Sequence, residues 1–420
     1  MSNIVPDGWS KLVMGNIGTF STSSVDKKSK DGETHVSLLN YMDIYQNSVL
    51  SSSYPFQSVT APAKQVISSS VKNGDVFFTP SSETPEDIGH SAVFIGDVEC
   101  LVHSYHTIRF RPMENNYFDD NYKAFGFRGE ATYEYFRKRA TGSTRFTVSL
   151  PIFNELEVLC PPLPEQKKIA SILTSVDEVI ENTQKQIDKL QDLKKATMNE
   201  LLTKGIGHTE FKDTELGRIP KSWEVKTLGD MVLKITDGEH LSPDIVSHGK
   251  PILSAKDIRE DGVHISGAKF VEPTAFQKML SRCNPEFGDV LVVSRGATIG
   301  RVTLNNLNIQ FALMGSVILI KPAQEQLIGS FISLYLESET TQSEILGLSG
   351  SSAQQAIYLK DIKSLKLPVP RLIEQNRIAA LVKSIDDQKK ILKSKLSQTQ
   401  SLKKSLMQDL LTGKIRVTVN

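Results

Sequence analysis

One stretch of this chain occurs twice, and that repeat constrains the fold more than anything else in the sequence. Residues 161–206 return without a gap when 209 is added to each number. Glu165-Gln166 becomes Glu374-Gln375, Ile169-Ala170 becomes Ile378-Ala379, and Leu193-Lys194-Lys195 becomes Leu402-Lys403-Lys404. Met198 becomes Met407, and Leu201-Leu202-Thr203 becomes Leu410-Leu411-Thr412. A period near half of a 420-residue chain marks a duplicated half-molecule and not a solenoid of short units.

Each copy reads as one long helix. Pro161, Pro162 and Pro164 end whatever precedes, and proline is tolerated in a first helical turn. Gly205 and Gly413 stand where a helix should stop. Apolar residues near a 3.5-residue spacing form a narrow stripe, with Thr183 in register: Ile169, Leu173, Val176, Ile180, Ile187, Leu190 and Leu201. The second copy keeps it, with Thr399 in register: Ile378, Val382, Ile385, Leu392, Leu396, Leu406 and Leu410. At 1.5 Å per residue, about 40 residues make a rod of roughly 60 Å. So narrow a stripe on so long a rod is a seam for another helix, and the simplest partner is its own duplicate. Glu165-Gln166 and Glu374-Gln375 lie off the seam and read as N-terminal caps or as docking points for another subunit.

The segments ahead of the helices are also related, by an offset of 214. Pro6-Asp7-Gly8-Trp9 matches Pro220-Lys221-Ser222-Trp223, Asp43-Ile44 matches Asp257-Ile258, and Gly74-Asp75-Val76 matches Gly288-Asp289-Val290. Ile88-Gly89 matches Ile299-Gly300 with three residues inserted in the first half, and Gly142-Ser143-Thr144 resembles Gly350-Ser351-Ser352. Between these landmarks the halves have little in common. The expected architecture is α+β: two mixed, strand-rich domains (1–160 and 219–369) separated by two long helices (161–206 and 370–415) in an antiparallel coiled coil, with a linker at 207–218. Strands are expected at 289–293, at 315–320, at Val76–Phe78 and at 92–95, and helix at 331–348. The Ser-rich stretch 19–37 reads as an exposed loop.

Composition excludes little. No apolar run approaches the ~20 residues of a membrane span, and the N-terminus lacks a signal-peptide layout. Cys100, Cys160 and Cys283 are widely spaced, as expected of reduced, buried thiols in a cytoplasmic protein and not of zinc or a disulfide framework. A formal charge of +1 leaves room for a local basic face.

The usual catalytic motifs are missing together: no nucleotide-cradling loop, no GxSxG, no HExxH, no paired-carboxylate constellation and no His set at ligand spacing around His103 and His106. Catalytic and metal-ligating residues are therefore expected to be none. Asn284-Pro285-Glu286-Phe287 resembles the base-holding loop of adenine methyltransferases, but Glu286 replaces a proline, and a turn into a strand is the better reading. Residues 294–301 form either a tight glycine hairpin or a loop whose Arg295 and Arg301 reach phosphates or base edges; both can hold. Arg137, Arg139 and Arg145 either track a nucleic-acid backbone or line a solvated helix face. Arg109 and Arg111, flanking Phe110 on a strand end, carry the same two readings. Lys256, Arg259, Ser351, Gln354 and Gln355 complete the candidate DNA contacts, the glutamines as adenine readers or as plain polar surface.

The helical repeats, opening Pro-x-Leu-x-Glu-Gln-x-x-Ile-Ala at Pro161 and Pro370 and closing on Leu-Leu-Thr, resemble the conserved regions of specificity subunits of type I restriction–modification systems. The Pro-x-x-Trp domain openings and the Gly-Ser-[Ser/Thr] ahead of each helix are similar too. The resemblance covers the whole chain. It implies two target-recognition domains, each reading half of a split double-stranded DNA site, with the antiparallel helices as spacer. It implies two adenine-N6 methyltransferase subunits and two ATP-driven translocating nuclease subunits as partners, no membrane, and S-adenosylmethionine, ATP and Mg on those partners with no cofactor in this chain. A rigid spacer would fix a run of unread bases, and unlike domains would make the site asymmetric. The rivals are a self-contained methyltransferase or nuclease with degenerate motifs, and a coiled-coil adaptor that binds no DNA.

Overall fold

A computed structural model of the chain describes residues 5–114, 117–348 and 355–419. It forms two compact units, 1–184 with 394–420, and 185–393, so each unit holds one half of each long helix.

In the first unit a five-stranded sheet runs Gly18–Thr22, Ile108–Pro112, Val76–Phe78, Ser91–Ile95, Val49–Ser51. Its last pair is parallel and the others antiparallel. Val76, Phe77 and Phe78 are wholly buried, as an unbroken apolar run in a central strand requires. A three-stranded sheet, Gln57–Ala61, Thr34–Leu39, Leu101–His103, packs beside it. Phe20, Phe78, Phe110, Phe127, Phe136 and Phe153 interlock through tilted and edge contacts to form the core. The ribbon Ser10–Val13 with Glu157–Cys160 then delivers the chain to the first long helix.

The second unit repeats this plan on different residues. Its main sheet has four strands, Val232–Asp237, Val317–Pro322, Val290–Val293, Val302–Leu304; the smaller one runs Lys269–Val271, Lys250–Leu253, Ala312–Leu313. Helices Gly329–Glu337 and Glu339–Leu348 fall where helix is expected. The matched landmarks are structural devices. Gly74 and Gly288 have φ of +81° and +87°, and Asp75 and Asp289 each accept a backbone N–H at 2.8 Å from three residues back. Asn284 to Phe287 is therefore a turn into the strand. Asp43 and Asp257 each close a capping box, with Asn40 and Ser254.

Two expectations need correction. Residues 19–37 are not one exposed loop: strands take both ends, and Val25 is wholly buried between them. Cys100 is exposed and not buried, unlike Cys160 and Cys283.

The long helices are Leu163–Lys204 and Leu372–Leu411, ending on Gly205 and Gly413 with φ of +64° and +67°. Within the first unit Asp177 pairs with Lys403 at 2.5 Å, and Glu165 with Arg416, which makes those segments antiparallel. Within the second, Lys194 pairs with Asp386 at 2.7 Å and Lys389 donates to Gln191 at 2.7 Å, in the same sense. Asp177–Lys403 and Asp386–Lys194 are one pair seen twice under the 209-residue offset. Every seam residue is buried or half-buried, but the seam is not purely helix on helix. Ile169 and Leu173 join the first domain's core with Leu410 and Leu411, and Ile378 and Val382 join the second's with Met198 and Leu202.

The Glu-Gln pairs are the main surprise of the helices. Trp9 Nε1 donates to Glu165 Oε2 at 3.0 Å, and Trp223 Nε1 to Glu374 Oε2 at 3.0 Å. Gln166, wholly buried, donates to Tyr117 O and Pro161 O and accepts from Asp119 N. Gln375, also wholly buried, donates to Gln326 O and Pro370 O and accepts from Ile328 N. The side chains bond to other segments of their own units and not to the first-turn N–H groups of their own helices. They fasten each helix to its domain, because a buried amide must satisfy both its donors and its acceptor.

Candidate nucleic-acid interface

Two of the candidate DNA contacts are tied to the fold, one buried and one half-buried. Arg109 is 8% exposed and donates to Ser70 O. Arg111 binds Asp75 through Nε at 2.7 Å and Nη2 at 2.5 Å, and also donates to Ser70 O. The second unit builds the same pair as Lys321 with Asp289, at 3.1 Å. The neighbouring His103 is wholly buried, its pKa pushed down to about 3 by burial and then by these two arginines. Arg109 is thus committed to the fold, and Arg111, half-buried, is held by Asp75. Arg301 is also engaged: its Nη1 donates to Ile258 O at 3.1 Å, which brings it beside the exposed Arg259 and Lys256. Arg139 lies 3.9 Å over the Tyr135 ring, and Arg137 is exposed on the last turn of Glu130–Arg137. Ser351 and Gln354 fall outside the described residues, and Gln355 is exposed.

Arg145 and Arg295 mark a corner that both domains share. In the first, Val148 N donates to Pro80 O at 2.8 Å, and Ser81–Ser82 pairs with Phe146–Thr147. In the second, Ile357 N donates to Ser294 O at 3.0 Å, and Arg295 bridges to Ala356. The residues match under the two repeat offsets, so this is one structural position seen twice.

The first corner is edged by Arg145, whose Nε and Nη2 donate to Ser81 Oγ at 3.3 and 3.1 Å. Tyr41 sits beside Ser82 and Arg145, its pKa raised chiefly by burial. Tyr105 is 47% exposed and its ring lies 3.8 Å from that of His106. Burial lowers the pKa of His106, and Arg145 and Lys27 lower it further, so its imidazole is neutral at neutral pH. The second corner opens a cleft of about 350 Å³ lined by Asp237, Ser294, Arg295, Gly315, Tyr358 and Lys360. Gly296 there has φ +101°, which lets residues 294–301 turn as the glycine hairpin between two antiparallel strands. Tyr358 is 53% exposed with Lys360 Nζ 5.9 Å over its ring, and Asp237 is occupied by His240 and Arg282 at 2.7 and 2.5 Å. Each corner therefore offers a guanidinium, an aromatic face and an imidazole. That is a set for hydrogen bonding and stacking, and no group of three or more His, Cys, Asp or Glu able to hold a metal ion occurs among the described residues. Sequence reasoning missed Tyr41, Tyr105, Tyr358 and Lys360. The one available signal was the position of Tyr358 and Lys360 just past the Gly-Ser-Ser landmark.

Comparison with known proteins gives a consistent result. The model of the type I restriction modification DNA specificity domain matches residues 7–192 and 220–400. The putative type I restriction enzyme MjaX specificity subunit of Methanocaldococcus jannaschii is 34% identical over 357 residues, covering 82% of this chain and 79% of that protein. The MjaVIII specificity subunit of the same organism is 30% identical, covering 72% of each. A chain from a solved structure described as the structural basis underlying complex assembly and conformational transition of the type I R-M system matches with a TM-score of 0.63 and 18% identity. It covers 99% of this chain and all of that one, and shares its fold.

Proposed function

The chain belongs to the type I restriction–modification DNA specificity family, and from that premise we propose that it is the sequence-reading subunit of such a complex, with one domain per half of a bipartite, asymmetric DNA site. The observation that carries this is the duplicated frame: one domain plan and one corner built twice, set in halves whose remaining surface residues have little in common. A reader of two unlike half-sites needs one frame held twice and different surfaces around it, and neither copy carries a group of three or more His, Cys, Asp or Glu able to hold a metal ion among the described residues. The chain is the non-catalytic member of the complex, and methylation and cleavage lie on other subunits. We assign S-adenosylmethionine, ATP and Mg to those partners, two methyltransferase subunits and two translocating nuclease subunits, with the methyltransferases docked on this scaffold. The exposed Leu193 and Leu402, at equivalent positions of the repeat, support one kind of partner bound twice. No helix among the described residues is long and apolar enough to cross a membrane. Its place of action, with the DNA, is the prokaryotic cytoplasm on this reading.

Arg137, Arg139, Lys256 and Arg259, all exposed, supply phosphate contacts, which makes affinity salt-dependent. Methylome sequencing of cells that express this chain with its methyltransferase should return two short half-motifs of different sequence separated by a fixed unread run. A single continuous motif would overturn the proposal, and S-adenosylmethionine binding by the chain alone would favour a self-contained methyltransferase.

A further inference from the structure

We propose that Arg145 and Arg295 are the specificity-determining side chains of the two half-sites, each reading a guanine from the same corner of its domain although they are not counterparts in the repeat. This rests on the DNA-reading function proposed above. Residue 81 is the counterpart of Arg295 under the 214-residue offset, and there the first domain has a serine. The guanidinium of Arg145 hydrogen bonds that serine's Oγ, so it comes to the corner that Arg295 occupies in the second domain. Arg145 arrives from the opposite segment of the local strand pair, and its own counterpart under the 209-residue offset is Gln354. The cation has kept its place while its carrier has changed sides.

A guanidinium at a kept place on changed carriers is what selection for a function at that place leaves behind. The frame does not need it, because among the described residues neither Arg145 nor Arg295 is within ion-pairing distance of a carboxylate. Arg111, Arg282 and Arg416, in contrast, are all paired. Arginine presents a planar fork that matches O6 and N7 of guanine in the major groove. The fork of Arg145 is oriented in advance by Ser81. That of Arg295 is carried on backbone bridged to Ala356, at the mouth of a cleft flanked by the exposed Tyr358. Orientation before contact favours a base edge, whereas a phosphate contact needs charge more than direction.

The test uses the complex with its methyltransferase, duplexes carrying the site that methylome sequencing returns, and one substituted duplex for each G·C pair. Binding is titrated against salt for R145A, R145K, R295A and R295K, with circular dichroism to confirm the fold of these exposed-site variants. Each alanine variant should lose discrimination at one G·C pair of its own half-site, by roughly 10- to 100-fold. Discrimination at every other position should stay, as should the slope of log affinity against log salt, and lysine should not restore the lost position. Uniform weakening with the slope reduced by about 0.9 per arginine would assign phosphate contacts and overturn the inference. Unchanged binding, or a half-site with no G·C pair, would also overturn it. A wild-type complex with no sequence preference would instead sink the underlying function.

Discussion

The two units fasten their helices with the same clasp and finish it with different side chains. In both, a buried tryptophan donates to a glutamate in the first turn of a long helix, and the next residue, a glutamine, ties the helix to the domain backbone. In the first unit the glutamate's remaining capacity is filled by Arg416, which also donates to Asp7 O at 2.7 Å. In the second it is filled by His208 at 2.8 Å and by the backbone N–H of Ile206 at 2.9 Å. The duplicated part is the part that must be satisfied in a buried place. The variable part lies nearer solvent, where water can substitute. The two corners divide the same way, with a constant backbone bond beneath and the guanidinium carried by different residues above.

The largest expected break in this symmetry is Q166L or Q375L. Each substitution removes three hydrogen bonds to backbone groups, one of them buried and two part-buried, at about 1 kcal/mol apiece, so each unit should lose roughly 3 kcal/mol. The chain has two tryptophans, one per unit. W223F therefore leaves Trp9 to report the first unit, and W9F leaves Trp223 to report the second. Urea melts of Q166L and Q375L in those backgrounds should give similar losses, and a gap between them well above 1 kcal/mol would end the equivalence of the clasps.

The tryptophan substitutions come next. W9F and W223F each remove a hydrogen bond to a carboxylate and some packed volume, for about 2 kcal/mol. The remaining tryptophan should show the untouched unit unfolding where it does in the wild type.

The smallest effect separates the halves. Arg416 holds the Glu165 carboxyl below the usual range, with burial opposing and Trp9 helping. A depressed folded-state pKa gives stability above the unfolded value that is lost as pH falls through the folded one. R416A should therefore lower the melting temperature of the first unit slightly at pH 7, and the difference from wild type should close as pH falls below the usual carboxylate range. A difference that persisted in acid would show that Arg416 acts by packing on Trp9, 5.7 Å from its ring centroid.

The long helices were legible because their signals are local: proline before, glycine after, and a 3.5-residue stripe between. The strand Val290–Val293 and the helices past Gly329 were legible for the same reason. The roles of Glu165 and Arg111 were not. Trp9 lies 156 residues from Glu165 and Arg416 lies 251 from it, and Asp75 is 36 residues from Arg111. No window of sequence holds both partners, so an arginine bound for a buried carboxylate looks the same as one bound for a phosphate. The corner was half legible. Arg145 and Arg295 stood out by charge, but their common position depends on two different offsets and a strand pair seen only when folded.

By itself the sequence determined the duplication, the long helices and their ends, and the class of protein, because periodicity, helix stops and repeat identity are written along the chain. Only the tertiary structure decided which charges are spent holding the fold and which stay exposed. That choice depends on burial and on partners brought from far along the chain, where desolvation makes a pair obligatory, and neither is visible residue by residue.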